Sequence, residues 1–182
     1  MSEENPWKTL STRDVYKNPW IKVREDSIIK PNGEAGIYGV IDCKPATGII
    51  PIFDDNTTLL VGQYRYALNQ YSWEIIEGGA EDGEDPKDAA IRELKEEGGY
   101  IASDVKPLGG EIHLSNSHSS ERGYLYVARN LVSCECDPDD TEILKLKRLP
   151  IIDAIELIEN NEIQDSLSII GLYRVARELK LI

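Results

Sequence analysis

The stretch Gly78–Tyr100, GGAEDGEDPKDAAIRELKEEGGY, decides how the rest of this chain is read. Asp85 suits an N-cap, Pro86 the first helical position, and Gly98-Gly99 a left-handed end, so the spacing predicts a helix between them. Ala90, Ile91 and Leu94 give that helix an apolar side. Glu93, Glu96 and Glu97 stand at i, i+3 and i+4, so they project from neighbouring positions. Between Glu74 and Glu97 there are 10 acidic and 3 basic residues, a net of −7 in 24. Like charges at this spacing cost about 0.2–0.5 kcal/mol per pair. One reading is a solvated acidic face. The other is a divalent cation site, because Mg²⁺ takes oxygen ligands and needs only a few carboxylates beside water and substrate phosphates. The glycine-rich approach to the helix, with only Arg92 and Lys95 near enough to offset the cluster, lowers the weight of the first reading and leaves both open.

Outward from that segment the chain is ordinary. It has 182 residues, 41% of them hydrophobic, and a formal charge of −13. One domain is expected, large enough to bury roughly 70% of the surface its unfolded chain exposes. No apolar run approaches the ~20 residues of a membrane span, and Thr47 to Phe53 is typical of the longest. Ser2 to Pro6 is acidic and polar, unlike a secretion signal, so a cytoplasmic protein is expected. The acidic balance excludes sequence-independent nucleic-acid binding, which needs Lys and Arg against phosphates. It does not exclude a small diphosphate. The 158 residues outside Glu74–Glu97 carry only −6, and a bound cation would reverse the local sign where the acid is concentrated.

The flanks supply the layers. Trp20–Arg24 and Ile37–Ile41 read as strands, joined through the Pro31-Asn32-Gly33 turn. Gly48–Phe53 and Thr58–Gln63, with Asp54-Asp55-Asn56 between them, read as a central hairpin. Trp73–Ile76 reads as a strand ended by Gly78-Gly79, and Val105–Leu114 and Gly123–Arg129 as two more. Helices are expected at Ile151–Ile158 and at Ser166–Leu179, the latter capped by Asp165 or Ser166. Strands first, one helix amid strands and helices last imply a mixed α/β layer structure. Cys43, Cys134 and Cys136 give no disulfide framework, and Cys134-Glu135-Cys136 has no second pair to make a zinc knuckle.

Gly78, five residues, Glu84, seven residues, then Arg92-Glu93-Leu94-Lys95-Glu96-Glu97-Gly98-Gly99-Tyr100 resembles the Nudix box, with Tyr100 where the family usually has an aliphatic residue. Asn18-Pro19-Trp20, Val61–Tyr66, Trp73-Glu74-Ile75 and Ile163–Ser166 look like the ADP-ribose and nucleoside-diphosphate-sugar pyrophosphatase branch. Departures occur at Ile76–Gly79, where relatives often carry a proline, and at Ser115–Glu121, where many carry Ser-Pro-Gly; the second weakens strict ADP-ribose specificity.

The resemblance implies an α/β/α sandwich with a mixed central sheet. An antiparallel strand extension over residues 1–45 is expected to dimerise, and residues 46–182 to form the hydrolase domain. It implies Mg²⁺, with Mn²⁺ as a substitute, held by Glu93, Glu96, Glu97 and the carbonyl of Glu77. Arg92 would hold the carboxylates in place through Glu84. The general base would come from the acidic loop, with Glu142 preferred and Asp140 next; Glu121 is a further metal, base or substrate residue. Arg65 would clamp the diphosphate. Trp20 and Tyr38 would either stack on the nucleobase or serve as plain aromatic packing, and Glu74 either touches the sugar or is structural. His113 and His118 read as polar surface residues. The implied activity is Mg²⁺-dependent hydrolysis of nucleoside diphosphate sugars such as ADP-ribose or GDP-mannose. A nucleoside triphosphate pyrophosphohydrolase and a non-catalytic nucleotide-sugar sensor are the alternatives.

Overall fold

The computed structural model describes residues 4–137 and 143–182. The chain divides into two units: residues up to Lys44 with His113–Arg122, and Pro45–Ile112 with Gly123–Ile182.

In the first unit, β1 (Lys8–Lys17), β2 (Lys22–Ile29) and β3 (Ala35–Asp42) form an antiparallel sheet in that order. The β2–β3 turn runs through Gly33 at φ +85°, whose N–H donates to Lys30 O, as the Pro-Asn-Gly sequence demands. β1 is exposed along all ten residues. Because neither face is buried, its sequence has no alternation to betray it, and sequence reading misses it.

The second unit holds β4 (Ala46–Pro51), β5 (Thr57–Arg65), β6 (Gln70–Glu74), β7 (Ile76–Gly79), α1 (Pro86–Glu96), β8 (Tyr100–Pro107) and all but the first residue of β10 (Arg122–Ser133). The two-residue β9 (Ile112–His113) precedes β10, and β11 (Lys145–Pro150), α2 (Ile151–Glu159) and α3 (Ser166–Glu178) follow. One sheet runs β7-β4-β10-β8, with β9 beside β10; β4 and β10 are parallel, and the β7–β4 and β10–β8 pairings are antiparallel. A second, antiparallel sheet runs β11-β5-β6.

The expected hairpin between 48–53 and 58–63 is therefore wrong. The turn itself forms, with Asn56 at φ 57° and its N–H on Phe53 O, but the two strands diverge into different sheets. Both edges of each strand are already filled: β4 lies between β7 and β10, and β5 between β11 and β6, so neither has an edge left for the other. The expected strand over 73–76 likewise divides at Ile75. Glu74 ends β6 in one sheet and Ile76 begins β7 in the other, and the Ile75 N–H freed at the break donates to Ser168 Oγ at 2.9 Å.

β4 is the middle of the layered structure. Ile49 belongs to a core cluster with Ile76, Ala90 and Leu94, so it packs toward α1. Its neighbour Ile50 points the other way; a Cβ on Gly171 of α3 would come within 2.7 Å of Ile50 Cδ1. Alternation along one strand thus sets α1 and α3 on opposite faces, giving the expected α/β sandwich with a mixed sheet. Among the described residues no helix is long and apolar enough to cross a membrane.

Candidate active site

α1 begins as its sequence requires. Asp85 is extended (φ −68°, ψ 132°), its carboxylate accepts from Lys87 N at 2.8 Å, and Pro86 follows. The helix buries Ala89, Ala90 and Leu94 and ends where Gly99 turns to φ +70°. Its other side carries the carboxylates. Glu97 is buried, Glu93 nearly so, and Glu96 is more open to solvent.

Arg92 organises them. Its Nε and Nη2 each reach a Glu84 carboxylate oxygen at 3.2 Å, and Nη2 also donates to Gly79 O at 3.2 Å. Nη1 donates to Glu93 Oε1 at 2.7 Å and to Glu96 Oε2 at 3.0 Å. Glu84 in turn accepts from Glu81 N at 2.7 Å, which fixes the far side of the hub. This arrangement raises the Arg92 pKa, chiefly through Glu84, and lowers that of Glu84, chiefly through Arg92.

Among the described residues no three His, Cys, Asp or Glu side chains converge as a finished metal cage. The donor set nevertheless fits a hard divalent ion. Every donor is oxygen, its three carboxylates come from one side of one helix, and a guanidinium bridges Glu93 and Glu96. An ion of that kind takes one or two carboxylates and keeps its waters, so a closed cage is not required.

A second cluster surrounds Arg65 at the end of β5. Arg65 Nε lies 3.0 Å and 3.1 Å from the two Glu74 oxygens, and Nη2 also contacts Glu74 Oε2. Glu74 is buried and Arg65 is partly exposed, so the guanidinium has a face open to solvent while its other edge is committed. Glu77 accepts from Ser168 Oγ at 2.9 Å. Burial, then the negative charge of Asp165, pushes the Glu77 carboxyl well above its ordinary value. Ser168 and the role of Asp165 beyond capping escape sequence reading. The only signal is the Asp165–Ser168 spacing of an N-cap, whose N–H of Ser168 donates to Asp165 Oδ2 at 2.8 Å.

The remaining expected residues lie in the first unit or outside the described residues. Trp20, 77% exposed, sits in the turn between β1 and β2, its N–H on Asn18 Oδ1. Tyr38 packs edge-on against Trp7 with ring centroids 5.7 Å apart, and its hydroxyl donates to Ser117 O. Glu121 stands just before β10, its N–H on Ser119 Oγ at 3.0 Å. His118 is held between Ser115 Oγ and Ser117 Oγ in an exposed turn. Glu142 and Asp140 lie outside the described residues.

Two family models match the chain: the NUDIX domain over residues 43–168, and the nucleoside diphosphate sugar hydrolase N-terminal domain over residues 7–41. A methanol dehydrogenase activator of Bacillus methanolicus is 31% identical over 167 residues, which is 91% of this chain and 90% of that protein. An ADP-ribose pyrophosphatase of Bacillus subtilis (strain 168) is 26% identical over 161 residues, covering 87% of this chain and 86% of that one. The crystal structure of an ADP compounds hydrolase superposes with a TM-score of 0.86 at 25% identity, covering 99% of this chain and 97% of that one.

Proposed function

The chain belongs to the Nudix hydrolases and is a pyrophosphohydrolase, and from that premise we propose that it hydrolyses the diphosphate bond of nucleoside diphosphate sugars, ADP-ribose foremost, with Mg²⁺. The observation that carries this reading is the Arg92 hub, which gathers Glu84, Glu93 and Glu96 beside the buried Glu97. The names of the Bacillus subtilis relative and of the superposed hydrolase support an ADP-containing substrate.

Glu93, Glu96 and Glu97, with the carbonyl of Glu77, would hold the metal. When bound it supplies acidity to a coordinated water and offsets phosphate charge. The protein does the rest. Arg92 holds the carboxylates apart at fixed positions. Arg65, oriented by Glu74, offers its open face to the diphosphate. Glu142, or Asp140 in its place, takes the proton from the attacking water; Glu121 is a further base, metal or substrate contact. Water adds to one phosphorus, the bridging oxygen leaves with the other, and ADP-ribose yields AMP and ribose 5-phosphate. Trp20 and Tyr38 belong to the nucleobase side of this reading. The N-terminal strands would also pair two copies, which the exposed Leu10, Val15, Tyr16 and Ile37 support.

A substrate panel with Mg²⁺, resolved by chromatography, tests the reading. ADP-ribose giving AMP plus ribose phosphate is expected, GDP-mannose giving GMP plus sugar phosphate would move the preferred sugar, and triphosphates alone losing pyrophosphate would overturn it. A Glu97→Gln variant as fast as the original would remove the metal assignment, and Glu142→Gln with unchanged kcat would remove Glu142 as base.

A further inference from the structure

The end of α1 that carries Glu96 and Glu97 is held from outside the helix by one short segment, residues 134–137. A helix leaves its last carbonyls without internal donors, and these must find partners elsewhere. Asp137 N donates to Glu96 O at 3.0 Å and Cys134 N to Gly99 O at 2.9 Å. Between them the Cys136 thiol donates to Glu97 O, with sulfur and oxygen 3.8 Å apart. Three carbonyls at the carboxylate-bearing end are thus satisfied by four consecutive residues.

The fit is close. Gly99 has φ +70°, and a Cβ there would lie 2.6 Å from Cys136 Sγ and 3.3 Å from Cys134 O. The sulfur therefore occupies the space that any larger residue at 99 would take. Glu97 is only 4% exposed, so its carboxylate has little freedom to compensate for a shift of its own backbone. Cys136 is an exposed residue although its sulfur faces Gly99 and the Glu97 carbonyl, so a reagent that takes the sulfur must draw it off that contact.

We propose that residues 134–137 form a clamp that positions the metal-binding end of α1, with Cys136 as its side-chain contact and as the point where thiol modification releases it. The inference rests on the reading that Glu93, Glu96 and Glu97 hold the metal. Cys136 is a positioning residue: it touches the backbone of a ligand, not the ion. Hydrogen-bond partners of the ligating groups themselves typically change metal affinity by 10–100-fold when disrupted, and a contact on a ligand's backbone is set at the lower end of that range.

The test uses the full-length, metal-stripped protein and Mn²⁺ alone, with free Mn²⁺ followed by electron paramagnetic resonance. Wild type and Cys136→Ser are titrated before and after N-ethylmaleimide. The thiol adds across the maleimide double bond, sulfur bonding to one carbon and its proton passing to the other, so no oxidant is needed. Capped wild type is expected to bind Mn²⁺ about ten-fold more weakly, with unchanged circular dichroism in the metal-free state. Cys136→Ser keeps a donor at this position and is expected to bind within about three-fold of wild type, and the reagent should leave it unaffected. Capped wild type binding as tightly as uncapped would overturn the clamp, and so would Cys136→Ser losing as much affinity on treatment, which would point to Cys43 or Cys134. Untreated wild type taking up no Mn²⁺ at all would overturn the metal-site reading itself, a result distinct from either.

Discussion

Gly78 lies against the Glu93 carboxylate so closely that a β-carbon at position 78 would overlap Glu93 Oε1. The glycine in β7 and the glutamate in the C-terminal half of α1 are thus one steric unit, although 15 positions separate them in the chain. Gly78→Ala is expected to displace the carboxylate. A misplacement of about 1 Å at a reacting centre can cost 100-fold in rate, so kcat should fall by at least about that factor. Steady-state kinetics measure it, and a variant with wild-type kcat would show that Glu93 is not needed where it stands.

Arg65 and Glu74 make a different kind of pair. Removing Arg65 strands a carboxylate that is only 3% exposed. Breaking a fully buried pair costs about 3–5 kcal/mol, but the Arg65 side chain is 38% exposed and water screens part of the loss, so about 2 kcal/mol is expected for Arg65→Ala. Arg65→Lys retains the charge without the fork and should raise KM for ADP-ribose more than it lowers kcat. Urea denaturation reads the first effect and initial rates the second.

Glu84 gives a dependence on pH. Arg92 first, then the Glu81 N–H, holds its carboxyl below the ordinary range. The folded protein therefore prefers the charged form more than the unfolded chain does. The resulting stability is present above the unfolded pKa and is lost as pH falls through the lower, folded one. Urea midpoints of metal-free wild type and Glu84→Gln should be apart at neutral pH and converge as the pH drops below about 4. Midpoints that stay equally far apart at every pH would mean that the difference is not this ionisation.

Asp85 supports the opposite end of α1 from the carboxylates. Asp85→Ala loses the cap on Lys87 N and is expected to cost about 1 kcal/mol, a fall of about 2–4 °C in Tm. Its kcat should change little, because Glu93–Glu97 belong to the far turns. A melting curve together with the rate separates this variant from Gly78→Ala.

How much of this is legible in the sequence depends on the range of the interaction. The cap at Asp85, the proline after it and the left-handed Gly99 are local requirements, each met by its own residue type, and all three are found where the spacing puts them. Strand pairing is not local. Nothing in Gly48–Phe53 says that its parallel partner begins at Gly123, so the chain's own next strand is the natural but wrong choice. β1 is hidden for another reason, since it buries no face. The carboxylates of α1 can be read from their periodicity, whereas Ser168 reaches Glu77 only through the docking of α3. The Arg65–Glu74 fork depends on the register of β5 and β6, which no single strand encodes.

The parallel pairing of β4 with β10 also sets an order of events during synthesis. α1 packs on β4, β7 and β8, yet β4 has an open edge until residues 123–128 arrive to fill it. A contact so distant along the chain forms late and slowly compared with a helix or a hairpin. On the ribosome, residues 86–96 are therefore synthesised before the strand that closes the sheet beneath them, and a helix of only 11 residues is marginal until that support packs. In that interval its glutamates are a repelling cluster on an unfinished support, and counter-ions in the surrounding solution would be their first partners.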